Sequence, residues 1–375
     1  MRILFISNYS LLYGANRSLL SIIEKCKNSG DDVCLFIPGK GNYAEELEKK
    51  GIKYEVIPYF SQLFYYRKSI PYLAVPFLDV WTFMLLPLII FKAKKYKPDL
   101  IYSNTAAENM GIMVAKTIGV KHITHVREFM DLDHRLHFFF GEKAKKNYIC
   151  KSDGVLYVSK SVAKHTLLSD TFPIKHKVIY NGVSAPKMDY VSKKIPECIN
   201  FGIVGLLDES KGQDMAIRFF DTIKDEYPNS KLHIWGDKEG SYKKKLIELI
   251  DIRNLEGRVI MHGFEKNLSV VYDDMQVLLM CSKAEGFGRV TVEAMMRGIP
   301  VLGYNSGGTS EIIKDGYSGY VFETEEEFFD KVHKMFASEE HYNTLCENAF
   351  NDSRERFSED KYANEVKRFI DSITK

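Results

Sequence analysis

The feature that most constrains this chain is a pattern of short, continuous apolar runs separated by helical segments, and it occurs twice. In the first half Arg2–Ser7, Asp32–Ile37, Tyr54–Pro58, Leu100–Ser103, Ile123–Val126, Gly154–Ser159 and Val178–Tyr180 read as strands. Ser18 to Lys27 and Met110–Thr117 read as helices between them. Strands that are apolar throughout, rather than alternating, are covered on both faces, which means a parallel sheet between helical layers. Residues 184–197 are polar and aperiodic and hold Pro186 and Pro196, the signature of a linker. The alternation then restarts. Asn200–Val204, Lys231–Trp235, Val259–His262, Val277–Cys281, Val301–Tyr304 and Gly319–Phe322 are the strands. Asp214–Glu226, Tyr242–Ile252 and Thr291–Arg297 are helices among them. The expected fold is α/β, with two Rossmann-like doubly wound domains. Ligands of open α/β sheets bind at the carboxyl ends of the strands, so a site is expected where two such edges face across a cleft.

A chain of 375 residues is long enough for two cores. Its net charge of +2 conceals an asymmetry: residues 1–184 hold 26 Lys and Arg against 16 Asp and Glu. A basic half suits an anionic surface or ligand, although charges scattered over solvated faces give the same count. The six cysteines are scattered, with no C-x-x-C pair, and read as reduced thiols in a cytoplasmic protein. Ile70–Phe91 is about as long as a membrane span, but Pro71, Pro76, Pro87 and Asp79 suit a lipid-embedded helix poorly. Arg67, Lys68, Lys92, Lys94, Lys95 and Lys97 flank it. A core helix is the first reading and a face lying on a membrane the second.

The stretch EGFGRVTVE, Glu285–Glu293, follows a strand and opens a helix. Gly286 and Gly288 let backbone approach a ligand closely. The N–H groups of the turn, through Phe287, Arg289 and Val290, favour a phosphate. Carboxylates accept hydrogen bonds from hydroxyls, so Glu285 suits a sugar and Glu293 a ribose.

The longer run from Ser282 to Phe322 extends this pattern with a Gly–x–Pro–Val turn and a Gly–Gly–x–x–Glu turn at Gly307, Gly308 and Glu311. It resembles the retaining glycosyltransferases of family 4, which have the GT-B fold. The resemblance implies an acceptor-binding domain at 1–184, a nucleotide-sugar domain at 185–356, and a last helix, about 357–375, packed back on the first domain. It implies a nucleotide-sugar donor, UDP- or GDP-linked, with no metal and no other cofactor. No Asp-x-Asp motif stands at a credible strand end; Asp131-x-Asp133 reads as a solvated turn.

Upstream, VGLLDESKGQ resembles the family's phosphate loop. Lys211 matches its Lys, but Leu206 stands where an Arg is expected, which turns attention to Arg289 as the second cation. The Met261–Phe264 loop, with Gly263, matches a nucleobase loop, and Gly14 a glycine-rich loop after the first strand. His125 matches a His near the transferred sugar. Asn16, Asn104, Arg127 and Glu128 are candidate acceptor contacts. The implied function is retaining transfer to a glycan or polyprenyl-diphosphate-linked acceptor in cell-surface polysaccharide synthesis. Catalysis would rest on His125 and Glu285, at the cytoplasmic face of an anionic membrane, with no nucleic-acid partner. A sugar-nucleotide epimerase, a phosphorylase, or a weakened partner subunit of the same fold are the alternatives.

Overall fold

The computed structural model describes residues 1–60, 64–66, 75–133, 135–166 and 174–375, with backbone alone at 64–66 and 75–79. The chain divides into two compact units, Met1–Gly182 with Glu359–Lys375, and Val183–Ser358.

The first unit carries β1 (Arg2–Ile6), β2 (Asp32–Ile37), β3 (Lys53–Val56), β4 (Phe64–Tyr66), β5 (Leu100–Ser103), β6 (Lys121–Val126), β7 (Leu136–Phe138), β8 (Gly154–Tyr157) and β9 (Lys175–Val178). Seven of these form a parallel sheet in the order β3-β2-β1-β5-β6-β8-β9. The apolar run of β1 is explained by double cover. Ile3 and Phe5 face a core shared with the helices Gly14–Asn28 and Glu359–Thr374. Leu4 and Ile6 face one shared with Val75–Tyr96 and Met110–Ile118. The chain runs outward from β1 to β3 and then returns to β5, so the loops after β1 and β5 flank the point where strand order reverses.

The second unit carries β10 (Asn200–Val204), β11 (Lys231–Trp235), β12 (Val259–Gly263), β13 (Val277–Met280), β14 (Val301–Tyr304) and β15 (Gly319–Phe322). They form a parallel sheet in the order β12-β11-β10-β13-β14-β15. Its reversal lies between β10 and β13. Loops at such a switch point splay apart and leave a crevice for a ligand.

Several elements differ from expectation. The first helix begins at Gly14, four residues early, so Gly14 is its first helical residue rather than part of a loop. The strand expected at Val178–Tyr180 lies at Lys175–Val178. Part of the aromatic run LHFFF forms β7, antiparallel to β4, with Leu136 and Phe138 buried and Phe140 exposed. Asp131-x-Asp133 is a turn closed by Asp133, which accepts hydrogen bonds from the Phe129 and Met130 N–H groups. The tail forms three helices, Glu325–Met335, Glu339–Arg356 and Glu359–Thr374. The last places Val366, Phe369 and Ile370 in the first unit's core.

Within the Ile70–Phe91 segment, Pro71 lies outside the described residues, as do the flanking Arg67 and Lys68. Residues 70–74 all lie outside the described residues, and 75–91 belong to the 22-residue helix Val75–Tyr96, which continues through Pro87. Thr82, Ile89 and Ala93 are buried. Among the described residues no helix is long and apolar enough to cross a membrane.

Candidate functional site

In the second unit the loops after β10 and β13 meet at the switch point. The β10 loop ends in a single 3-10 turn, Glu209–Lys211, capped by Asp208, whose carboxylate accepts from the Ser210 N–H. Two contacts clamp this turn to the end of β13. Ser282 Oγ donates to the Ser210 carbonyl at 2.8 Å. Gly212, at φ +72°, brings its backbone so close to Cys281 that a Cβ would lie 2.2 Å from the Cys281 carbonyl oxygen. Only glycine combines that conformation with that approach. Lys211 is therefore held over the strand end that launches Glu285, and its Nζ lies 2.8 Å from Glu285 Oε2.

The Glu285–Gly288 turn is held in turn from β14. Gly308 N donates to the Glu285 carbonyl at 2.7 Å. A Cβ on Gly307 would lie 2.5 Å from that same oxygen, and one on Gly308 about as close to the Gly286 and Phe287 carbonyls. The Gly–Gly pair is thus a packing requirement of the glutamate turn. Phe287 is buried against Phe357, and Gly288, at φ +98°, precedes the helix Arg289–Met295. That helix has seven residues. A helix this short has a weak macrodipole, so Val290 and its neighbours offer N–H groups more than a field. Arg289, on the first turn, places Nη2 3.8 Å from Glu293 Oε1. Glu293 is buried, and Tyr272 donates its hydroxyl to Oε2 at 3.2 Å. Burial, and then the charge of Glu293, push the Tyr272 phenol well above its usual range, so it stays a donor.

Two cations and two carboxylates therefore occupy one edge of the sheet: Lys211 with Glu285, and Arg289 with Glu293. Leu206 stands on the β10 loop, 54% exposed, and supplies only a carbonyl, which accepts from Gln213 Nε2. At the neighbouring strand ends Gly236 N donates to the Gly263 carbonyl at 2.7 Å, which ties the β11 and β12 loops together. Trp235 stacks on His262 at 3.8 Å, and His262 on His233. Nothing in the sequence pattern singles out His233, whose ring joins this stack.

The residues expected at the site of the first unit have a different environment. His125, at the end of β6, is fully buried; the Tyr102 hydroxyl lies 2.6 Å from its Nδ1, and Nε2 has no partner among the described residues. Burial, and then Arg127 beside it, hold its pKa well below the usual value, so the ring is neutral. In this structure His125 supports the sheet edge from within and does not line it. Arg127 is also buried. It donates to the Asn104 carbonyl and Oδ1, to Asn181 Oδ1 and to the Tyr362 hydroxyl. Asn16, buried, accepts from Ser7 and donates to the Tyr9 and Leu11 carbonyls. Asn16, Asn104 and Arg127 thus form a hydrogen-bonded network that fixes loops and the last helix. Glu128 is half-buried and accepts from Thr105.

Two family models match the chain: "Glycosyltransferase Family 4" over residues 13–185 and "Glycosyl transferases group 1" over residues 192–352. An uncharacterised glycosyltransferase of Methanocaldococcus jannaschii is 30% identical over 292 residues, covering 74% of this chain and 76% of that one. The poly(ribitol-phosphate) α-N-acetylglucosaminyltransferase of Staphylococcus aureus is 27% identical over 215 residues, 56% of this chain and 41% of that protein. Among solved structures, Anabaena HepE in complex with UDP and glucose superposes with a TM-score of 0.79 at 21% identity, covering 99% of this chain and 100% of that one. The chain belongs to the family 4 glycosyltransferases and has the GT-B type of fold.

Proposed function

We propose that the protein moves a sugar from a UDP-linked donor to a hydroxyl of a glycan or lipid-linked glycan acceptor, in the synthesis of a cell-surface polymer. The observation that carries this reading is the Lys211–Glu285 pair, clamped at the switch point of the second unit beside a glycine turn. Departure of a nucleoside diphosphate places negative charge on the phosphates and positive charge on the sugar ring. Lys211 and Arg289 supply cations for the first. Glu285 supplies an acceptor for sugar hydroxyls, and Glu293, oriented by Tyr272, one for the ribose. When the donor phosphate engages Lys211, Glu285 is released to the sugar. The reaction is retaining and needs no metal, because the protein's own cations neutralise the leaving group while that group assists deprotonation of the acceptor.

UDP is favoured over GDP because a structural neighbour holds UDP and glucose, and a polymer acceptor is favoured because a relative is named for a poly(ribitol-phosphate) substrate. The acceptor's place in such a synthesis puts the protein on the inner face of the cell membrane. Thermal unfolding with UDP, GDP, ADP and dTDP tests the donor assignment, since a ligand bound to the native state raises apparent stability. UDP alone should shift the transition. Absence of a shift with every nucleotide overturns the reading.

A further inference from the structure

From Val80 to Phe91 the helix Val75–Tyr96 carries no charged side chain, and its one hydroxyl, on Thr82, is buried. Its inward face buries Thr82, Ile89 and Ala93. Its outward face presents Val80, Met84, Leu88 and Phe91, spaced by four, four and three residues, which places them in one stripe. Met84 is 69% and Phe91 64% exposed, and Trp81 lies exposed on the flank of the stripe. An ordinary surface helix carries charges there. This stripe meets none until Lys95, beside exposed Lys94 and Lys97 at the helix end. Trp81 donates its indole N–H to the Pro58 carbonyl at 2.9 Å and Thr82 accepts from Phe60 N at 3.0 Å, so the helix is fixed in this orientation.

Beside the stripe, Phe83 closes a pocket of about 320 Å³ with Ile112, Met113, Asn109 and Tyr148. Lys116 and Lys151 complete its wall, with Lys151 Nζ 5.0 Å from the Tyr148 ring centroid. An apolar hollow bordered by two ammonium groups suits a molecule with a hydrocarbon chain and an anionic head. The unit that bears these features holds 30 Lys and Arg against 20 Asp and Glu, whereas the second unit is acidic.

We propose that this helix face and the adjoining pocket form a docking surface for an anionic phospholipid bilayer. Met84, Leu88 and Phe91 enter the acyl boundary, Lys94, Lys95 and Lys97 meet headgroups, and one lipid chain occupies the Phe83 pocket under Lys116 and Lys151. Apolar side chains beside lysines bind membrane interfaces through buried area together with attraction to anionic lipid, and neither contribution suffices alone. The inference deepens the membrane-proximal part of the function proposed above and rests on it only for the position of the acceptor, not for the donor.

The chain has two tryptophans, Trp81 and Trp235. In the Trp235→Phe variant, emission therefore reports on the docking face alone. Vesicles of phosphatidylglycerol with phosphatidylcholine should shift that emission to shorter wavelength and carry the protein on flotation. Pure phosphatidylcholine should do neither. Met84→Glu with Phe91→Glu should abolish flotation. Each of Lys94→Glu and Lys95→Glu should weaken it at least about fivefold, with the loss reduced at high salt. Met84, Phe91, Lys94 and Lys95 are all exposed, and stabilisation by UDP should persist in every variant of the stripe and the lysines. Unchanged emission, flotation that ignores lipid charge, or undiminished flotation of the double variant overturns the proposal. So does a concentration-dependent dimer that the double variant abolishes, because the stripe would then be a contact between copies. Failure here with UDP stabilisation intact leaves the donor assignment standing.

Discussion

Lys211 and Glu285 lie 74 residues apart in sequence and form a 2.8 Å ion pair at the switch point of the second unit. Both side chains are partly exposed, so the pair itself adds little to stability, about 0–1 kcal/mol. Its significance is positional: the clamps at Gly212 and Ser282 hold a cation and an acceptor where a sugar diphosphate would present its two kinds of oxygen. Lys211→Ala should weaken UDP binding about tenfold or more while leaving the melting temperature without ligand nearly unchanged. Titration calorimetry and a thermal scan together check this. A large loss of stability with unaltered UDP affinity would mean that the pair is structural.

Leu206 leaves the β10 loop without a guanidinium, and its side chain is exposed at the same edge. Leu206→Arg should therefore increase affinity for UDP, by about tenfold where the fork reaches both phosphates. The gain should disappear against uridine, which lacks the diphosphate. Equal affinities in the variant and the parent would show that Arg289 already meets that need.

Gly307 stands at φ +57°, and an added Cβ would meet the Glu285 carbonyl oxygen at 2.5 Å. Gly307→Ala should cost about 1–3 kcal/mol and displace the glutamate turn. Its transfer rate should fall further than that of a surface Gly→Ala control such as Gly257, whose added Cβ meets nothing within 4 Å. Equilibrium unfolding and turnover measured on both variants check the prediction.

Arg127 joins Asn104 and Asn181 to Tyr362 on the last helix, entirely within the first unit. Arg127→Met should leave four buried acceptors, the Asn104 carbonyl and Oδ1, Asn181 Oδ1 and the Tyr362 hydroxyl, short of a partner and cost about 3 kcal/mol or more. Tyr362→Phe removes one hydroxyl and should cost about 1 kcal/mol. Hydrogen exchange should show Glu359–Thr374 losing protection first in both variants. Protection unchanged there would refute the tethering role.

Glu108 caps the helix Met110–Ile118 by accepting from Gly111 N at 3.1 Å, and its Oε1 has no partner among the described residues. Burial raises its pKa from 4.5 to about 7. Between those values the unfolded chain has released the proton and the folded chain retains it, so stability falls as pH rises through this window and levels off above it. His122, held neutral by burial at a pKa of about 3, acts oppositely and destabilises as pH drops below 6.5. Glu108→Gln isolates the first effect. Relative to the parent, the variant should gain stability from pH 4.5 to 7, by about 3 kcal/mol in all. Denaturant midpoints across that range provide the measurement. A difference independent of pH would contradict it.

Much of the fold was legible because continuous apolar runs such as β1, β5 and β13 have one economical explanation, a sheet covered on both sides. The pair β4 and β7 was not legible, since three-residue strands lack a period and LHFFF reads equally well as an interfacial run. Glu285, Glu293 and Lys211 were legible as a pattern. The reason for the Gly–Gly turn appeared only with the distances to the Glu285 and Phe287 carbonyls. The mutual hydrogen bonds of Asn16, Asn104 and Arg127 were not legible, because polar residues in strand-end loops look alike whether they await a ligand or satisfy one another. The burial of His125 was not legible either, since the Tyr102 hydroxyl that takes up its Nδ1 comes from the neighbouring strand.

The central claim is sugar transfer from a nucleotide donor at the Glu285 turn. The most direct test is release of UDP from UDP-sugars with a polymer acceptor, comparing the parent with Glu285→Gln. The parent should release UDP only with acceptor present, and the variant should lose about 10²–10³-fold in rate with UDP affinity retained. Parent-like turnover in Glu285→Gln, or sugar-nucleotide conversion by the parent without any acceptor, would contradict it.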